Sequence, residues 1–218
     1  MALFDNNEEL KQLNSAFTAS FELNSILSFL DDAAGKTIIP AVSLEMYTDL
    51  LSKKQSLMPG SLNARLLHLV QKACLSLAMG NYAAFGSLQI QDSGITVLSR
   101  DNARPASDAK VAQLRKQSFA VGYEALEEAV ELLESHLDEF PSYAASTAHT
   151  GNRSLFINSS KEFSAAAGVT ISAQVFRELR SELARLERDS IEPLLGEALT
   201  QDIRIKISTG KPEEKDKS

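Results

Sequence analysis

The residue types that most often carry out chemistry are few and scattered in this 218-residue chain. The histidines are His68, His136 and His149, and the single cysteine is Cys74. A zinc site needs about four ligands, usually brought together as close pairs, and none of the histidines lies near a cysteine or carboxylate at ligand spacing. Cys74 falls in an apolar helical segment, where a thiol packs as a small hydrophobe. We therefore expect core or surface roles for these residues, with no metal site and no cofactor.

A run of carboxylates in segment 124–139 is the second candidate for chemistry. Paired carboxylates can transfer protons when buried neighbours shift their pKa values, but these acids lie on the polar face of an amphipathic helix, which is typical of solvated side chains. The start of the same helix is basic, the reverse of what the helix dipole favours. We therefore expect a compensating contact, such as a neighbouring subunit of opposite charge. The acids are Glu124, Glu127, Glu128, Glu131, Glu134, Asp138 and Glu139, and the bases are Lys110, Arg115 and Lys116.

Motifs and composition exclude several classes of function. The sequence has no phosphate-binding loop, dinucleotide fingerprint, zinc-protease motif or nucleophile elbow. Its net charge of −7 disfavours general binding to nucleic acid, because phosphates attract cations. The most apolar window, 66–86, contains polar residues, whereas a membrane span needs about 20 apolar ones. We expect a protein that acts by contact with other proteins, is not an enzyme and does not bind a membrane.

The chain repeats its own pattern at an offset of 153 residues. Segment 4–50 aligns without gaps to 157–203, with six identical residues and matching apolar positions. Pro40 aligns with Pro193, each flanked by apolar runs. Internal repeats are typical of stacked or ring-like structural proteins. The sequence thus predicts two copies of one helical unit.

The pattern inside the first unit predicts three helices. Asp5 can cap a short helix, with Glu8 three residues later completing a capping box. A longer helix follows over about 23–34, where apolar residues recur at helical spacing. Pro40 then breaks or kinks the chain, and Ser43 is the expected N-cap of the next helix.

The segment between the two units predicts a buried helix, a hairpin and a long helix. Residues 62–85 are apolar nearly all round, which predicts burial on every side. Residues 88–98 alternate as two strands around a turn, with Gly94 in the left-handed position. A long helix is expected over 107–140, where Pro141 stops it, and 142–152 is expected to be a polar loop. The apolar stripe of the long helix should contain Val111, Leu114, Val121, Ala125, Ala129, Leu132 and Leu133.

These elements predict a mainly α fold, a helical bundle with one β-hairpin and an internally repeated helical unit. Residues 1–140 form a helical domain that contains the first repeat and the hairpin. Residues 141–207 form a second, incomplete repeat, which lacks a counterpart of the buried helix. Residues 208–218 are polar and charged, which is typical of a disordered tail.

The predicted hairpin is the candidate assembly contact. A lone two-stranded hairpin is marginal in water, so it must pack on its own helices or pair with another chain through its free edges. The residues leave both alternatives open. The candidate contact residues are Ile90, Asp92, Ser93, Gly94, Ile95 and Val97.

Several short motifs of this chain resemble those of an uncharacterised family from Bacteroidetes bacteria and their phages and prophages. They lie at 91–95 (QDSGI), 122–126 (GYEAL) and 155–158 (LFIN), and the resemblance covers nearly the whole chain. The first unit is also similar to the head–tail connector proteins of tailed phages. In those proteins an amphipathic helix ends in a short loop, a second apolar helix packs back on it, and many copies form a ring.

The resemblance implies a phage or prophage structural protein of the head–tail connector or neck type. Its partners would be other proteins, either further copies in a ring or neck proteins, and it would occur in the cytoplasm of the bacterial host or in the virion. The residues themselves also allow a monomeric helical adaptor that binds one protein and is not a virion component. An enzyme is the third hypothesis, because no residue pattern supplies a nucleophile, metal or cofactor.

Overall fold

The fold of this chain is mainly α-helical, as the sequence predicts. The computed structural model describes residues 3–14, 21–85, 88–91, 94–97 and 106–209, and in the two short strands it describes the backbone alone. The tail predicted at 208–218 therefore lies almost entirely outside the described residues.

The helices and strands follow one another in this order. The first half contains α1 (Asn7–Leu13), a 3₁₀ turn (Leu23–Ser25), α2 (Leu27–Ala33), a π-helical turn (Ala34–Ile38), α3 (Ile39–Val42), α4 (Leu44–Lys53), a second 3₁₀ turn (Lys54–Ser56) and α5 (Leu62–Tyr82). The middle contains β1 (Leu88–Gln91), β2 (Gly94–Val97), α6 (Asp108–Ser135), α7 (Pro141–Ala144) and α8 (Thr147–Asn152). The last part contains α9 (Ser160–Ala167), α10 (Ala173–Leu186), a second π-helical turn (Glu187–Ile191), α11 (Glu192–Leu195) and α12 (Glu197–Thr209).

Helix α5 is the centre of the hydrophobic core. Leu66, Val70 and Cys74 are completely buried, and Leu77 is nearly so. The helix packs against α2 on one side and along α6 on the other. The predicted burial on every side therefore holds for residues 73–80, whereas Arg65 and His68 in the first half of the helix are exposed.

Two glycines allow α5 and α6 to approach each other closely. A Cβ atom on Gly122 of α6 would lie 2.8 Å from Leu77 Cγ and 3.1 Å from the Leu77 backbone nitrogen. A Cβ atom on Gly80 of α5 would lie 3.0 Å from the ring of Phe119. Each glycine thus makes room for a large side chain of the opposite helix.

The N-terminus of α1 is capped one residue later than predicted. Asn6, not Asp5, is the N-cap, and its Oδ1 accepts a hydrogen bond from the Glu9 N–H at 3.1 Å. The Glu9 carboxylate reaches back to the Asp5 N–H at 3.2 Å and also binds Lys54 Nζ at 2.8 Å. The contact with Lys54, 45 residues away, favours Glu9 over Glu8 as the acid of the capping box.

The cap of α4 agrees with the prediction. Ser43 Oγ accepts a hydrogen bond from the Met46 N–H at 3.1 Å. Ser43 has φ 73° and ψ 155°, a region where L side chains are strained. Just before it, the helical path widens into the first π-helical turn and then passes through Pro40 in α3. The proline therefore distorts the helical path but does not end it.

Segment 142–152, predicted to be a polar loop, is mostly helical, so that prediction is wrong. Helix α6 already ends at Ser135, and Pro141 starts α7, because its restricted φ suits the first turn of a helix. Ser146 caps α8 by accepting a hydrogen bond from the His149 N–H at 3.3 Å. Phe140 and Tyr143 are buried, and α7 packs on α4. Burial of these two aromatic rings stabilises a segment whose other residues are small or polar.

The two predicted units share several helix bounds at the offset of 153 residues, although α10 begins seven residues earlier than α2 does at this offset. The first π-helical turn and α3 (39–42) coincide at this offset with the second π-helical turn and α11 (192–195). Gly196, the counterpart of Ser43, has φ 77° and ψ 155°, nearly the same values. Among the described residues, Ser43 is the one non-glycine with a positive φ. The unusual turn therefore occurs at the same position of both units.

The starts of the two units also make the same hydrogen bonds. Ser159, the counterpart of Asn6, accepts a hydrogen bond from the Glu162 N–H at 3.1 Å. The Glu162 carboxylate then accepts a hydrogen bond from the Asn158 N–H at 2.7 Å. Glu9 accepts the equivalent bond from the Asp5 N–H. Helices α1 and α9 thus begin with one capping arrangement.

The two strands pair antiparallel in the register expected for a two-residue turn. Leu88 lies opposite Val97, and Gln91 lies opposite Gly94. The turn residues Asp92 and Ser93 lie outside the described residues. How the hairpin packs therefore stays a prediction.

Substitution of Gly122 tests the α5–α6 contact. Gly122→Ala should destabilise the protein by about 1–3 kcal/mol, the usual cost of overpacking a core, because the added methyl meets the Leu77 backbone. Gly35→Ala is the matched control, since Gly35 is also helical and a Cβ there meets nothing within 4 Å. The control should stabilise by up to about 1 kcal/mol through helix propensity. Urea unfolding of both variants measures this, and equal effects would contradict the close contact.

Cys74 should be chemically inert in the folded protein. Burial, followed by the charge of Asp31, raises the pKa of its thiol to about 12, and its Sγ lies 3.4 Å from the Leu30 carbonyl oxygen. Because the thiolate is the reactive form, a disulfide reagent at pH 8 should label Cys74 at least about a hundredfold more slowly in buffer than in denaturant. Rapid labelling without denaturant would show that α5 is accessible.

Candidate functional site

Glu134 on α6 is buried, which corrects the expectation that the acids of this helix are all solvated. Its side chain is 6% exposed. One carboxylate oxygen accepts a hydrogen bond from the Tyr143 hydroxyl at 2.5 Å and lies 3.1 Å from His149 Nδ1. The other accepts a hydrogen bond from Arg153 Nε at 2.9 Å. The acid is thus compensated by groups from α7 and α8 and the residue after them.

The Glu134 cluster connects α6 to the first unit. Asn152 Nδ2 donates to the Tyr143 hydroxyl at 3.0 Å and to the Ala41 carbonyl of α3 at 2.8 Å. Burial is the main cause that raises the pKa of Tyr143 far above its ordinary value, so its hydroxyl keeps its proton. Every polar group named here has a partner within the cluster. The arrangement connects α7 and α8 to α6 and α3.

Two further acids of α6 hold the start of α9. Glu127 accepts hydrogen bonds from the Ser160 N–H and from Ser160 Oγ, both at 2.6 Å. Glu131 pairs with Lys161 at 2.9 Å. Three of the acids in the carboxyl half of α6 are therefore compensated by the chain itself. A neighbouring subunit as a further compensating contact stays a prediction.

The histidines show what sequence reasoning missed. His149 lies beside a buried carboxylate, although nothing in its sequence neighbourhood indicates this, because Glu134 is 15 residues away. His136 bonds through Nδ1 to the Leu132 carbonyl, four residues earlier, at 3.1 Å.

Across the described parts of the chain, no group of three or more His, Cys, Asp or Glu residues could hold a metal ion. Within the same residues, no helix is long and apolar enough to cross a membrane.

The second unit exposes an apolar surface that its first-unit counterpart buries. We call it the C-terminal apolar face; its side chains are Leu186 (51% exposed), Ile191 (37%), Leu194 (86%) and Leu199 (47%). The residues at the same positions of the first unit are Ala33, Ile38, Ala41 and Met46, which are at most 3% exposed. They are covered by α5 to α8. In the second unit α10 packs on α6, but the described residues do not cover these four side chains.

The amino-terminal half of α6 is a second partly apolar surface. Leu114 and Val121, predicted to lie on the buried stripe, are 43% and 39% exposed, so the prediction is wrong for them. The carboxyl half agrees with it, since Ala125 and Leu133 are buried. Arg115 donates from Nε to the Gly80 carbonyl at 3.3 Å near the end of α5. Leu114 thus lies near the end of α5, and Val121, next to Gly122, lies on a side of α6 that does not face α5.

The candidate contact residues of the hairpin stay a prediction. The backbone places Ile90 opposite Ile95, and Gly94 and Val97 at the two ends of β2. Their side chains, and all of Asp92 and Ser93, lie outside what the structure describes.

The Glu134 cluster makes a specific prediction about stability. Glu134→Ala should cost about 3 kcal/mol, because it leaves Tyr143 and Arg153 without their acceptor in a buried site. Glu131→Ala is the matched control on the next turn of α6, and its exposed pair should be worth less than about 1 kcal/mol. Thermal and urea unfolding compare the two. A loss at Glu134 as small as the control would show that the cluster is open to solvent.

Comparison with known proteins identifies a family but no activity. Residues 38–153, more than half of the chain, match a family described as "Family of unknown function (DUF6712)". No curated protein and no solved structure matches the chain. The matched region runs from the end of the first π-helical turn to the residue after α8, so it contains α5, α6 and the Glu134 cluster. On the length of this match, the chain belongs to this family of unknown function.

Proposed function

We propose that this protein acts by assembling with other proteins and that the C-terminal apolar face is the contact surface. The exposure of this face carries the proposal. Four large apolar side chains within 14 residues lie in water, and contiguous exposed apolar patches on soluble proteins mark interaction sites. Leu194 alone exposes 86% of its surface, which favours a contact that covers it.

We also propose that the two units arose by duplication and then diverged. The shared π-helical turn, the shared positive φ and the shared caps support this. The two units differ in the side chains of the C-terminal apolar face and of its counterparts in the first unit. The first copy, with small or buried residues at these positions, belongs to the core of the monomer. The second copy keeps large apolar residues there and leaves them exposed.

The specific role that we propose is a structural protein of a phage or prophage, of the head–tail connector or neck type. The resemblance of the sequence motifs to phage and prophage proteins supports this role, as does the first unit's likeness to connector proteins. A net charge of −7 is compatible with a protein whose surface must not bind the DNA that passes it. The role requires partners that are proteins, either more copies of the chain or other neck proteins.

A monomeric adaptor that binds one protein is the alternative. The exposed face supports it equally, since a single partner could cover all four apolar residues. The two hypotheses differ in where the protein is found and in its mass in isolation.

The test of the proposed role is mass spectrometry on purified virions from cells that encode the chain, with light scattering on the isolated protein. A neck or connector protein should be present in the particles in fixed stoichiometry with the other tail and capsid proteins. The isolated chain should form discrete oligomers of its 23.7 kDa mass as concentration rises. A chain that is missing from the particles and binds one cellular protein as a monomer would favour the adaptor.

A further inference from the structure

We propose that a cavity in the first unit binds a small organic cation, a molecule that carries an ammonium or guanidinium group on a short apolar body. The cavity has a volume of about 300 Å³. It is lined mainly by the segment before α1, by α2 with the π-helical turn that follows it, and by α4 and α5. Its volume is at the lower end of the range for small-ligand pockets. A small-molecule site in the first unit goes beyond the proposed assembly through the second.

Much of the cavity wall is apolar and buried. Its buried lining residues are Leu3, Phe4, Leu30, Ala34, Leu51 and Cys74. Leu27, Asp31 and Gly35 are exposed, and they recur every four residues along one side of the helical path. These three residues therefore form the rim, and the buried ones would cover the apolar body of a ligand. Removal of such a body from water favours binding.

Asp31 is the one charged residue among the described residues that line the cavity. Its neighbour Asp32 pairs with Lys36 at 2.9 Å, whereas the described residues supply no ion-pair partner for Asp31. The charge of Asp31 also acts inside the cavity. Burial is the main cause that raises the pKa of Cys74 and of Tyr47, each to about 12, and Asp31 adds to both shifts. A cation beside Asp31 would therefore offset a negative charge that the described part of the chain leaves uncompensated.

The second unit holds a cation at the equivalent place. Arg204 is the counterpart of Leu51 at the offset of 153 residues, and its guanidinium lies 5.6 Å from the centre of the Phe156 ring. The same guanidinium pairs with Glu192 at 2.7 Å and lies 3.5 Å from Glu187. These three partners of Arg204 are the counterparts of residues that line the cavity in the first unit, namely Leu3, Ile39 and Ala34. The repeated backbone path therefore accommodates a cationic group at this place.

The first unit has no such cation of its own. Ala34 and Leu51 stand in place of Glu187 and Arg204, so the space stays open and its inner wall is apolar. The acid of the first unit is instead Asp31 at the rim. A ligand that fits both features keeps its positive charge at the rim beside Asp31 and places an apolar body against the buried wall. A purely apolar molecule would leave the acid uncompensated, and an anion would be repelled by it.

An NMR titration of the isotope-labelled full chain tests the site. The probe is 2-phenylethylammonium, an aromatic ring joined to an ammonium group by two carbons. It should bind with a Kd of about 1 mM or tighter, as expected for a molecule of this size, and it should shift the backbone amide signals of α2 and α4. The uncharged probe 2-phenylethanol, which has nearly the same shape, should bind about fivefold more weakly because it lacks the charge.

Uncharged variants of two neighbouring acids measure the role of Asp31. Asp31→Asn should bind 2-phenylethylammonium about fivefold more weakly than wild type does, and it should bind 2-phenylethanol equally well. Asp32→Asn is the matched control, because Asp32 is also exposed but pairs with Lys36 and does not line this cavity. The control should bind both probes as wild type does. Both substitutions are at exposed positions, so both variants should fold normally by circular dichroism.

Two filled variants test the comparison between the units. Ala34→Glu with Leu51→Arg gives the first unit the acid and the arginine of the second, and it should abolish binding of both probes. Ala34→Met fills the space with an unbranched apolar side chain and gives the same measurement if the double variant does not fold. Binding that survives a folded filled variant places the ligand elsewhere and overturns the inference.

The wild-type titrations can overturn the inference as well. They do so if neither 2-phenylethylammonium nor benzylguanidinium shifts the amide signals of α2 and α4 up to about 20 mM, where even weak specific binding is detected. They also do so if 2-phenylethanol binds as tightly as 2-phenylethylammonium. The same holds if Asp31→Asn binds the ammonium probe as wild type does, since the cavity would then accept apolar molecules regardless of charge.

Discussion

The close packing of α5 on α6 positions most of the remaining structure. The Leu77 side chain of α5 packs against the backbone at Gly122 of α6, and the Phe119 ring of α6 packs against the backbone at Gly80 of α5. This contact sets where α6 lies relative to the core, and with it the direction in which the acids of its carboxyl half point. Those acids then bind α7, α8 and the start of α9. A small change in the depth of the helix contact would therefore move every segment that follows.

The two units are held by different kinds of interaction, although they share a backbone path. In the first unit Ala34, Tyr47 and Leu51 surround an apolar interior. Their counterparts in the second are Glu187, Thr200 and Arg204, of which Glu187 and Thr200 are buried. Glu187 accepts a hydrogen bond from the Phe156 N–H at 2.8 Å and lies 3.5 Å from Arg204. Polar contacts are directional and poorly tolerant of displacement. The second unit therefore places polar groups where the first has apolar ones, while Leu155, Ala173 and Phe176 are its buried apolar residues and Leu186, Ile191, Leu194 and Leu199 remain exposed.

Local pattern predicted the parts of the fold that depend on local chemistry. The helical class, the burial of α5 and the Ser43 cap follow from composition, periodicity and capping preference. The errors arise where contacts with residues distant in sequence determine the local structure. Lys54 selects Glu9 in the first capping box, and burial of Tyr143 makes a helix of a segment that is otherwise polar. Glu134 lies on the polar face of its helix, so no periodicity could show that a tyrosine, a histidine and an arginine would enclose it. The sequence predicts that the second unit lacks a counterpart of the buried helix α5. Which side chains are left exposed as a result could be seen only in the structure.

The positive-φ turn explains how one backbone can serve a core and an interface. At Ser43 the strained conformation is offset by the hydrogen bond that the serine hydroxyl accepts from the Met46 N–H. At Gly196 no side chain is needed, because glycine adopts this φ at little cost. The same turn, with φ and ψ within 4° of each other at Ser43 and Gly196, is thus reached by two chemical routes. With the turn kept, the side chains around it are free to differ. Those of the first unit are small or buried where helices of the same chain cover them, and those of the second include large exposed ones such as Leu194.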